Sequence, residues 1–292
     1  MRYRILLFGL LLGLGLPARA VDLLLTLRAP ESLGDRRQAY DNAVLRLALD
    51  KTRTSHGGYR LMLSPPMNKQ RALLSAQRQA YPNFLTVSGP DEGRAAAGLV
   101  PVPFPIYLGA TGYRVCFVAA EASAAVAASA DLQALRRFTH VQGLGWADGA
   151  ILRANGFQVL DGASYEAMFR MVAANRVDLF CRSVLEVRNE ALTHAELKGL
   201  QLDASFALVY DLPQFFYTHR DNRALVERLS LGLHKAHADG SLLSLFREHL
   251  LPSLRFVELD KRRLFRLKTS PVQGLDFDHR RYDLDVLREL NR

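Results

Sequence analysis

Signatures of catalysis and metal binding are absent from this 292-residue sequence. There is no G-x-S-x-G nucleophile elbow, no H-E-x-x-H zinc motif and no glycine-rich phosphate loop. His234 and His237 share one predicted helical face, but no carboxylate or cysteine lies at a spacing that would complete a metal site. We therefore expect neither a metal nor another cofactor.

Long apolar runs are also missing after the first twenty residues, so no later segment is predicted to span a membrane. Residues 5–16 form a short apolar run after Arg2 and Arg4, and it is followed by Pro17 and an Ala-x-Ala pattern. This order is typical of an export signal, and a membrane anchor is the alternative. We expect residues 1–20 to be a signal peptide, cleaved after Ala20, and the mature chain to be periplasmic.

The basic residues form no stripe interleaved with aromatic residues, so the sequence does not indicate a nucleic-acid partner. Loss of the signal segment, with its three arginines, lowers the formal charge from +9 to +6. A dispersed positive surface of this kind favours the approach of anionic solutes.

Internal repeats and low-complexity linkers are lacking as well, although the mature chain of about 270 residues exceeds the size of one typical core. The sequence therefore predicts two lobes with an intimate boundary. Only two cysteines are present, Cys116 and Cys181, and both fall in predicted strands of the same lobe. In an oxidising compartment they form either a disulfide or two small buried thiols.

The most informative stretch is residues 141–183, which reads as strand, helix, strand, helix, strand. Two successive strand–helix–strand crossovers favour a parallel sheet that is covered by helices. Ligands of such sheets bind beyond the carboxyl ends of the strands. The first hundred mature residues repeat the alternation of strands and helices, so we expect an α/β fold. The polar tail to Arg292 is expected to lie across the surface.

Several short motifs resemble the periplasmic solute-binding proteins of family 3, the amino-acid-binding type, and in particular a poorly characterised branch of that superfamily. The motifs occur in the order of that family across nearly the whole mature chain. They are SLGDRRQAYDNAVLRLALDKT (32–52), RAAAGLV (94–100), PFPIY (103–107), GWADGAIL (145–152), SYEAMFRMVAANRVD (164–178), MFRMVAANRVDLFCRSVLE (168–186) and the later DG stop (239–240).

The resemblance implies a type II periplasmic-binding-protein-like fold with two lobes, each a mostly parallel sheet flanked by helices. Lobe 1 would comprise residues 21–108 and 212–292, and lobe 2 residues 109–211. Two hinge strands would join the lobes near residues 102–113 and 205–214. The lobes would close on a solute by hinge bending.

The family resemblance also implies that Arg94 would clamp a ligand carboxylate. The chain departs from the family at two other contacts. Trp146, Ala147 and Asp148 stand where a Gly-Thr turn usually offers free N–H groups, and Arg182 stands where an aspartate usually binds the amino group.

Six residues are therefore candidates for ligand binding, each with a structural alternative. Arg28 and Arg182 follow strand ends, and Trp146 and Asp148 lie in a turn that should face the cleft. Trp146 could instead plug the boundary between the lobes, and Asp148 could instead cap a helix. Arg182 and Glu186 have the i,i+4 spacing of an internal ion pair. The set is Arg28, Arg94, Trp146, Asp148, Arg182 and Glu186.

The leading hypothesis for function is a monomeric periplasmic binding protein that captures a small polar, carboxylate-bearing and amino-acid-like solute. It would deliver this solute to an ABC-type transporter or a sensor. The rival is an exported enzyme on the same scaffold, a dehydratase of small carboxylic acids in which Asp148, Glu186 and Glu190 supply an acid or base. A third hypothesis is a scaffold without a pocket, its cleft filled by Trp146 and the tail, that binds a protein partner.

Export has a direct test. Protein recovered from the periplasm of the native host should begin at Val21, because the basic start, the apolar run and the Ala-x-Ala pattern together specify cleavage after Ala20. Mass spectrometry of the intact chain measures this. A chain that still begins at Met1 would refute the prediction.

Overall fold

The computed structural model describes residues 22–31, 35, 37–90, 92–269 and 275–291. The predicted signal peptide, residues 1–20, lies outside the described residues. Among the residues described, no helix is both long enough and apolar enough to cross a membrane.

Strands and helices alternate through most of the described chain. In chain order the strands are β1 (Leu23–Ala29), β2 (Tyr59–Pro66), β3 (Thr86–Ser88), β4 (Leu99–Pro101), β5 (Tyr113–Ala119), β6 (Thr139–Gly143), β7 (Gln158–Gly162), β8 (Leu179–Ser183), β9 (Leu200–Leu202), β10 (Phe206–Val209), β11 (Phe215–His219) and β12 (Arg263–Arg266).

The helices fill the intervals between strands and most of the C-terminal region. They are α1 (Ala39–Asp50), α2 (Arg53–His56), α3 (Lys69–Gln77), α4 (Glu92–Ala96), α5 (Ser123–Ala127), α6 (Leu132–Leu135), α7 (Ala147–Ala154), α8 (Tyr165–Ala173), α9 (Val187–Thr193), α10 (Arg223–Ala238), α11 (Ser241–Phe256) and α12 (Val286–Leu290).

The first lobe is built on strands from the beginning and the later part of the chain. β1 pairs with β2 in parallel, and a parallel bridge from Leu27 to Leu85 links β1 to the segment that enters β3. β11 lies between β3 and β4 and is antiparallel to both. This lobe therefore combines a parallel half with an antiparallel half, which differs from the mostly parallel sheet that we expected.

The second lobe holds the seven-stranded sheet, with the order β12-β10-β5-β8-β6-β7 and β9 beside β5. β6 pairs in parallel with β7 and β8, so the two crossovers predicted for residues 141–183 are confirmed. β5, however, runs antiparallel to β8 and β10. The start of β5 therefore lies beside the end of β8, with Arg114 opposite Ser183.

Two chain segments connect the sheets, one from β4 to β5 and one from β10 to β11. The predicted hinge segments, 102–113 and 205–214, contain these connections. The lobe boundaries require one correction. Residues 212–292 were assigned wholly to lobe 1, but β12 pairs in parallel with β10 and extends the seven-stranded sheet.

The C-terminal tail is more regular than its polar composition indicates. Besides β12 it forms α12, and the side chains of Tyr282 and Val286 are buried in the main core. Leu284 N–H donates to the carbonyl of Leu108, which lies in the first connection between the sheets. The apolar residues that recur in this polar segment explain why it packs on the body of the protein.

Close contact between α1 and α10 is made possible by a glycine. A Cβ atom on Gly232 would lie 2.1 Å from the carbonyl oxygen of Ala48, which is a backbone atom of α1 and cannot rotate away. Both residues are buried, so the two helices approach each other backbone to backbone.

We expect Gly232→Ala to lower the free energy of unfolding by about 2 kcal/mol, because overpacking typically costs about 1–3 kcal/mol. The gain in helix propensity, about 1 kcal/mol, acts in the opposite direction and is the smaller effect. Chemical denaturation measures the change. The control is Leu231→Ala on the same helix, where the side chain is 40% exposed and should tolerate truncation. A Gly232→Ala variant as stable as wild type would contradict the packing described.

Candidate functional site

A cavity of about 160 Å³ lies between the two sheets. Its walls come from both lobes, and from the two segments that connect them. The lining residues with charged side chains are Arg28, Arg37, Asp41, Lys69, Arg114, Asp148, Arg182 and Glu186. Because drug-sized ligands occupy pockets of about 300–1,000 Å³, a cavity of this size suits a small solute.

Arg114 and Asp148 form a buried ion pair on the wall from lobe 2. Arg114 Nε donates to Asp148 Oδ1 at 2.7 Å, and the hydroxyl of Tyr210 donates to the same oxygen at 2.6 Å. Burial alone would raise the pKa of Asp148, but the charge of Arg114 and the Tyr210 hydroxyl hold it below its usual value. Asp148 is thus an ionised acceptor whose Oδ1 is already engaged.

The sequence offered helix capping as the alternative role for Asp148. The residue lies in the first turn of α7, but the N-cap position belongs to Trp146 and no side chain makes a capping hydrogen bond there. The role of a cap is therefore corrected. Asp148 is held by its pair with Arg114, a partner that sequence spacing could not reveal.

Arg182, near the end of β8, is 5% exposed and carries two carboxylate partners. Its Nε donates to Glu190 Oε1 at 2.8 Å, and its Nη2 donates to Glu186 Oε2 at 2.8 Å. Tyr165 also donates its hydroxyl to Glu190 Oε1, at 2.7 Å. The i,i+4 ion pair expected from sequence is therefore present, and Glu190 on α9 strengthens it.

Trp146 lies on the cavity wall and does not fill the cavity. The Arg182 guanidinium carbon is 4.7 Å from the centre of the indole ring, and the same ring stacks on Phe180 at 6.3 Å. The tryptophan is half-buried. It therefore packs against the Arg182 cluster and keeps one part of its surface toward the cavity.

Arg28 and Arg37 share carboxylates in lobe 1. Arg28 donates to Glu31 and also, from Nε, to the carbonyl of Met67 at 2.9 Å. Arg37 binds both oxygens of Asp35 at 2.7 Å and reaches Glu31 at 3.0 Å. The two hydrogen bonds from Arg37 help to lower the pKa of Asp35 to about 2, against the opposing effect of burial.

Two contacts join the lobes across the cavity. The guanidinium carbon of Arg37 lies 4.1 Å from the centre of the Tyr165 ring, a cation–π contact between the region before α1 and the start of α8. On the other side, the Gln70 side chain lies against Gly145, where a Cβ atom would approach its Nε2 to 2.7 Å. The cavity is therefore bounded by contacts between lobes at two of its edges.

Asp41, on α1, is a buried carboxyl group without a basic partner. Its Oδ1 accepts a 2.6 Å hydrogen bond from the Tyr107 hydroxyl, and its side chain faces the cavity. Burial raises the pKa of Asp41 to about 7, because no cation lies close enough to compensate for lost hydration.

Lys69, the first residue of α3, presents an amino group to the same cavity. Burial is the main cause that lowers its pKa to about 8, and the positive charges of Arg94 and Arg28 lower it further. Lys69 makes no hydrogen bond or ion pair with any of the described residues through its side chain. It is the lining cation whose charge remains available.

Arg94, which the family resemblance marks as the carboxylate clamp, is not among the residues that line the cavity. It lies in α4, with its guanidinium carbon 5.7 Å from the centre of the Tyr217 ring. Its influence on Lys69 places its charge near the cavity wall. A direct contact between Arg94 and a solute stays a prediction.

Cys116 and Cys181 lie opposite each other on β5 and β8 and are joined by a disulfide. The bridge ties the two antiparallel strands together next to Arg114 and Arg182. Within the described part of the chain, no group of three histidine, cysteine or carboxylate side chains could hold a metal ion.

Sequence reasoning missed Arg37, Asp41, Lys69 and Arg114. The search for side chains at the carboxyl ends of strands assumed parallel strands, and Arg114 lies near the beginning of β5. In an antiparallel strand, the beginning reaches the edge of the sheet where its neighbour ends. Asp41 and Lys69 lie on helices, where a single charge has no distinctive spacing.

The structure was compared with known proteins. It is similar to an ancestral arginine-binding protein bound to arginine, with a TM-score of 0.57 at 14% identity over 78% of this chain and 97% of the other. A histidine kinase sensor domain with similarity to periplasmic binding proteins gives 0.57 at 14% identity, over 80% and 97%. A periplasmic His/Glu/Gln/Arg/opine family-binding protein from Silicibacter pomeroyi in complex with lysine gives 0.55 at 7% identity, over 78% and 96%.

No protein-family model matches the sequence, and no curated protein matches it. The similarity is therefore one of structure. It shows that the chain has the two-lobed α/β fold of type II periplasmic binding proteins, and it confirms the structural part of the resemblance read from the motifs.

The titration of Asp41 yields a prediction for stability. Between about pH 4 and pH 7 the folded state keeps a proton on Asp41 that the unfolded chain releases, so this group makes folding less favourable as pH rises through that window. Asp41→Asn removes the titration and leaves an amide oxygen to accept from Tyr107.

We expect Asp41→Asn to resemble wild type near pH 4 and to exceed it in unfolding free energy at pH 8. The gain should be on the order of 3 kcal/mol, from 1.36 kcal/mol for each unit of pKa shift. Denaturant titrations at several pH values measure it, with Asp50→Asn at the exposed end of the same helix as the control. A constant difference between Asp41→Asn and wild type at all pH values would contradict the assignment.

Proposed function

We propose that this chain is an exported solute-binding protein, which captures a small polar, carboxylate-bearing solute between its lobes and presents it to a membrane transporter or sensor. The observation that carries the proposal is the cavity itself, because polar and charged side chains from both lobes and both connections line one small space. A solute held there would bridge the lobes and favour their closed arrangement.

The similar structures support the same class of function. Their printed descriptions include proteins bound to arginine and to lysine, a transporter substrate-binding protein and a sensor domain. All share the two-lobed fold with this chain. Low identity leaves the solute to be read from the residues of this cavity.

The rival function, a dehydratase of small carboxylic acids, has less support. Asp148 Oδ1 accepts from both Arg114 and Tyr210, and Glu190 Oε1 accepts from both Arg182 and Tyr165. A general acid or base needs an oxygen that can exchange a proton with the substrate. Among the three carboxylates considered, Glu186 alone has a raised pKa with burial as the main cause.

The binding hypothesis predicts a ligand-dependent gain in stability. Protein purified without denaturation should carry a small molecule that native mass spectrometry detects. Protein that has been unfolded, freed of it and refolded should then show a thermal shift when the same molecule is returned. At a hundred times the dissociation constant, binding adds about 2.7 kcal/mol, or a shift of roughly 5–10 °C for a chain of this size.

A broad screen of amino acids, carboxylic acids, amines and sugars that shifts the melting temperature of folded protein in no case would argue against the binding function. Turnover of a carboxylic acid by the purified protein would favour the enzyme instead.

A further inference from the structure

The balance of charge in the cavity differs from the count of its charged residues. Five cations line it, but four of them already bind carboxylates of the protein: Arg28 binds Glu31, Arg37 binds Asp35, Arg114 binds Asp148 and Arg182 binds Glu190. A solute carboxylate that took one of these arginines would leave a buried protein carboxylate without its partner, which is strongly unfavourable. The arginines therefore build the walls of the cavity and contribute little net attraction for an anion.

Lys69 is the exception among the five. It has no partner among the described residues, it is half-buried, and Arg94 and Arg28 add positive potential around it. It is also the first residue of the nine-residue helix α3, whose N-terminus carries partial positive charge. An anionic group of a solute gains most at this end of the cavity, because it meets a cation that it does not have to take from another carboxylate.

Acceptors without donors lie elsewhere on the wall. Asp41 Oδ2 accepts no hydrogen bond within the described residues, since Tyr107 binds only Oδ1. Two further lining groups are buried without a partner in the described structure, Gln38 Oε1 and the hydroxyl of Thr86, whose residue is 3% exposed. Buried polar atoms of this kind are rare unless a ligand or water satisfies them.

We infer that Lys69 binds the anionic group of the solute and that Asp41, with Gln38 and Thr86, binds a donor group such as an ammonium. The solute is thus a small dipolar molecule without net charge, and the paired arginines do not bind it directly. This inference rests on the proposed solute-binding function and assigns the charged contacts of that same cavity.

The charge assignment excludes two other classes of solute. A dianion would satisfy Lys69 but would place its second negative group near Asp41 or near the paired carboxylates Asp148 and Glu186. A dication would satisfy Asp41 and leave its second positive group among Lys69 and the arginines. A dipolar solute alone matches one free cation with one free acceptor.

A set of four-carbon probes separates these classes at nearly constant size: 4-aminobutyrate is dipolar, succinate is a dianion and 1,4-diaminobutane is a dication. The twenty common amino acids extend the dipolar class. Calorimetry at pH 7.5 on refolded protein freed of co-purified solute should show binding of 4-aminobutyrate or of at least one amino acid without net charge. Succinate and 1,4-diaminobutane should bind at least tenfold more weakly.

Variants then locate the contacts with the dipolar probe that binds tightest. Lys69→Gln should weaken binding at least 30-fold, and Lys69→Arg should restore part of the affinity because it restores the charge. Arg71→Gln removes the same charge from an exposed position on the same helix and should change affinity less than twofold. Asp41→Asn should weaken binding at least tenfold, with Asp50→Asn as its control. Melting temperatures of each variant without ligand show whether the fold is intact.

Three outcomes would overturn the inference. The first is tighter binding of succinate or 1,4-diaminobutane than of every dipolar probe, and the second is wild-type affinity in Lys69→Gln. The third is binding of none of the probes by protein that still binds its co-purified molecule, which would refute the solute class but leave the binding function standing. Failure of the binding function itself appears separately, as the absence of both a co-purified molecule and any thermal shift.

Discussion

The buried pairing of Arg182 with Glu186 and Glu190 is the interaction on which the site depends. It fixes the end of β8 to the beginning of α9, and it supplies the flat cation on which Trp146 packs. An arginine buried to this degree is tolerated only because carboxylates and aromatic rings replace its hydration. The walls of the cavity are rigid for this reason, and the arginine that seemed most suited to a ligand is committed to the fold.

The same principle applies around the rest of the cavity. Arg114 is committed to Asp148, and Arg37 is committed to Asp35 while it also packs on Tyr165 of the other lobe. Most of the charge between the lobes is thus neutralised before any solute arrives. What remains is selective, because a single unpaired lysine and a single carboxyl group without a basic partner have opposite signs and lie in the same small space.

Much of the fold could be predicted from the sequence. Residues 141–183 show apolar strands, capped helices and glycine turns in unambiguous order, and the structure contains each of the two crossovers there. The pair of Arg182 with Glu186 was likewise visible, because i,i+4 spacing is a local property. The antiparallel orientation of β5 was not visible, since the direction of a strand depends on pairing partners that are distant in the chain.

That missing direction also explains why part of the site was missed. Arg114 reaches the cavity from the start of a strand, whereas the sequence argument looked only at strand ends. Asp41 and Lys69 became notable only when the structure showed which charges around them were already paired. A sequence lists charged residues, but it does not show which of them have been neutralised by residues 34 positions away, as Arg114 has been by Asp148.

A crystal structure of the protein with its bound solute would test the central claim most directly. The account predicts the anionic group of the solute within about 3 Å of Lys69 Nζ, which is hydrogen-bond distance. It also predicts a donor group on Asp41, with the ion pairs of Arg114 and Arg182 unchanged. An anionic group bound instead to Arg114 or Arg182, with Asp148 or Glu190 displaced and Lys69 turned away, would contradict it.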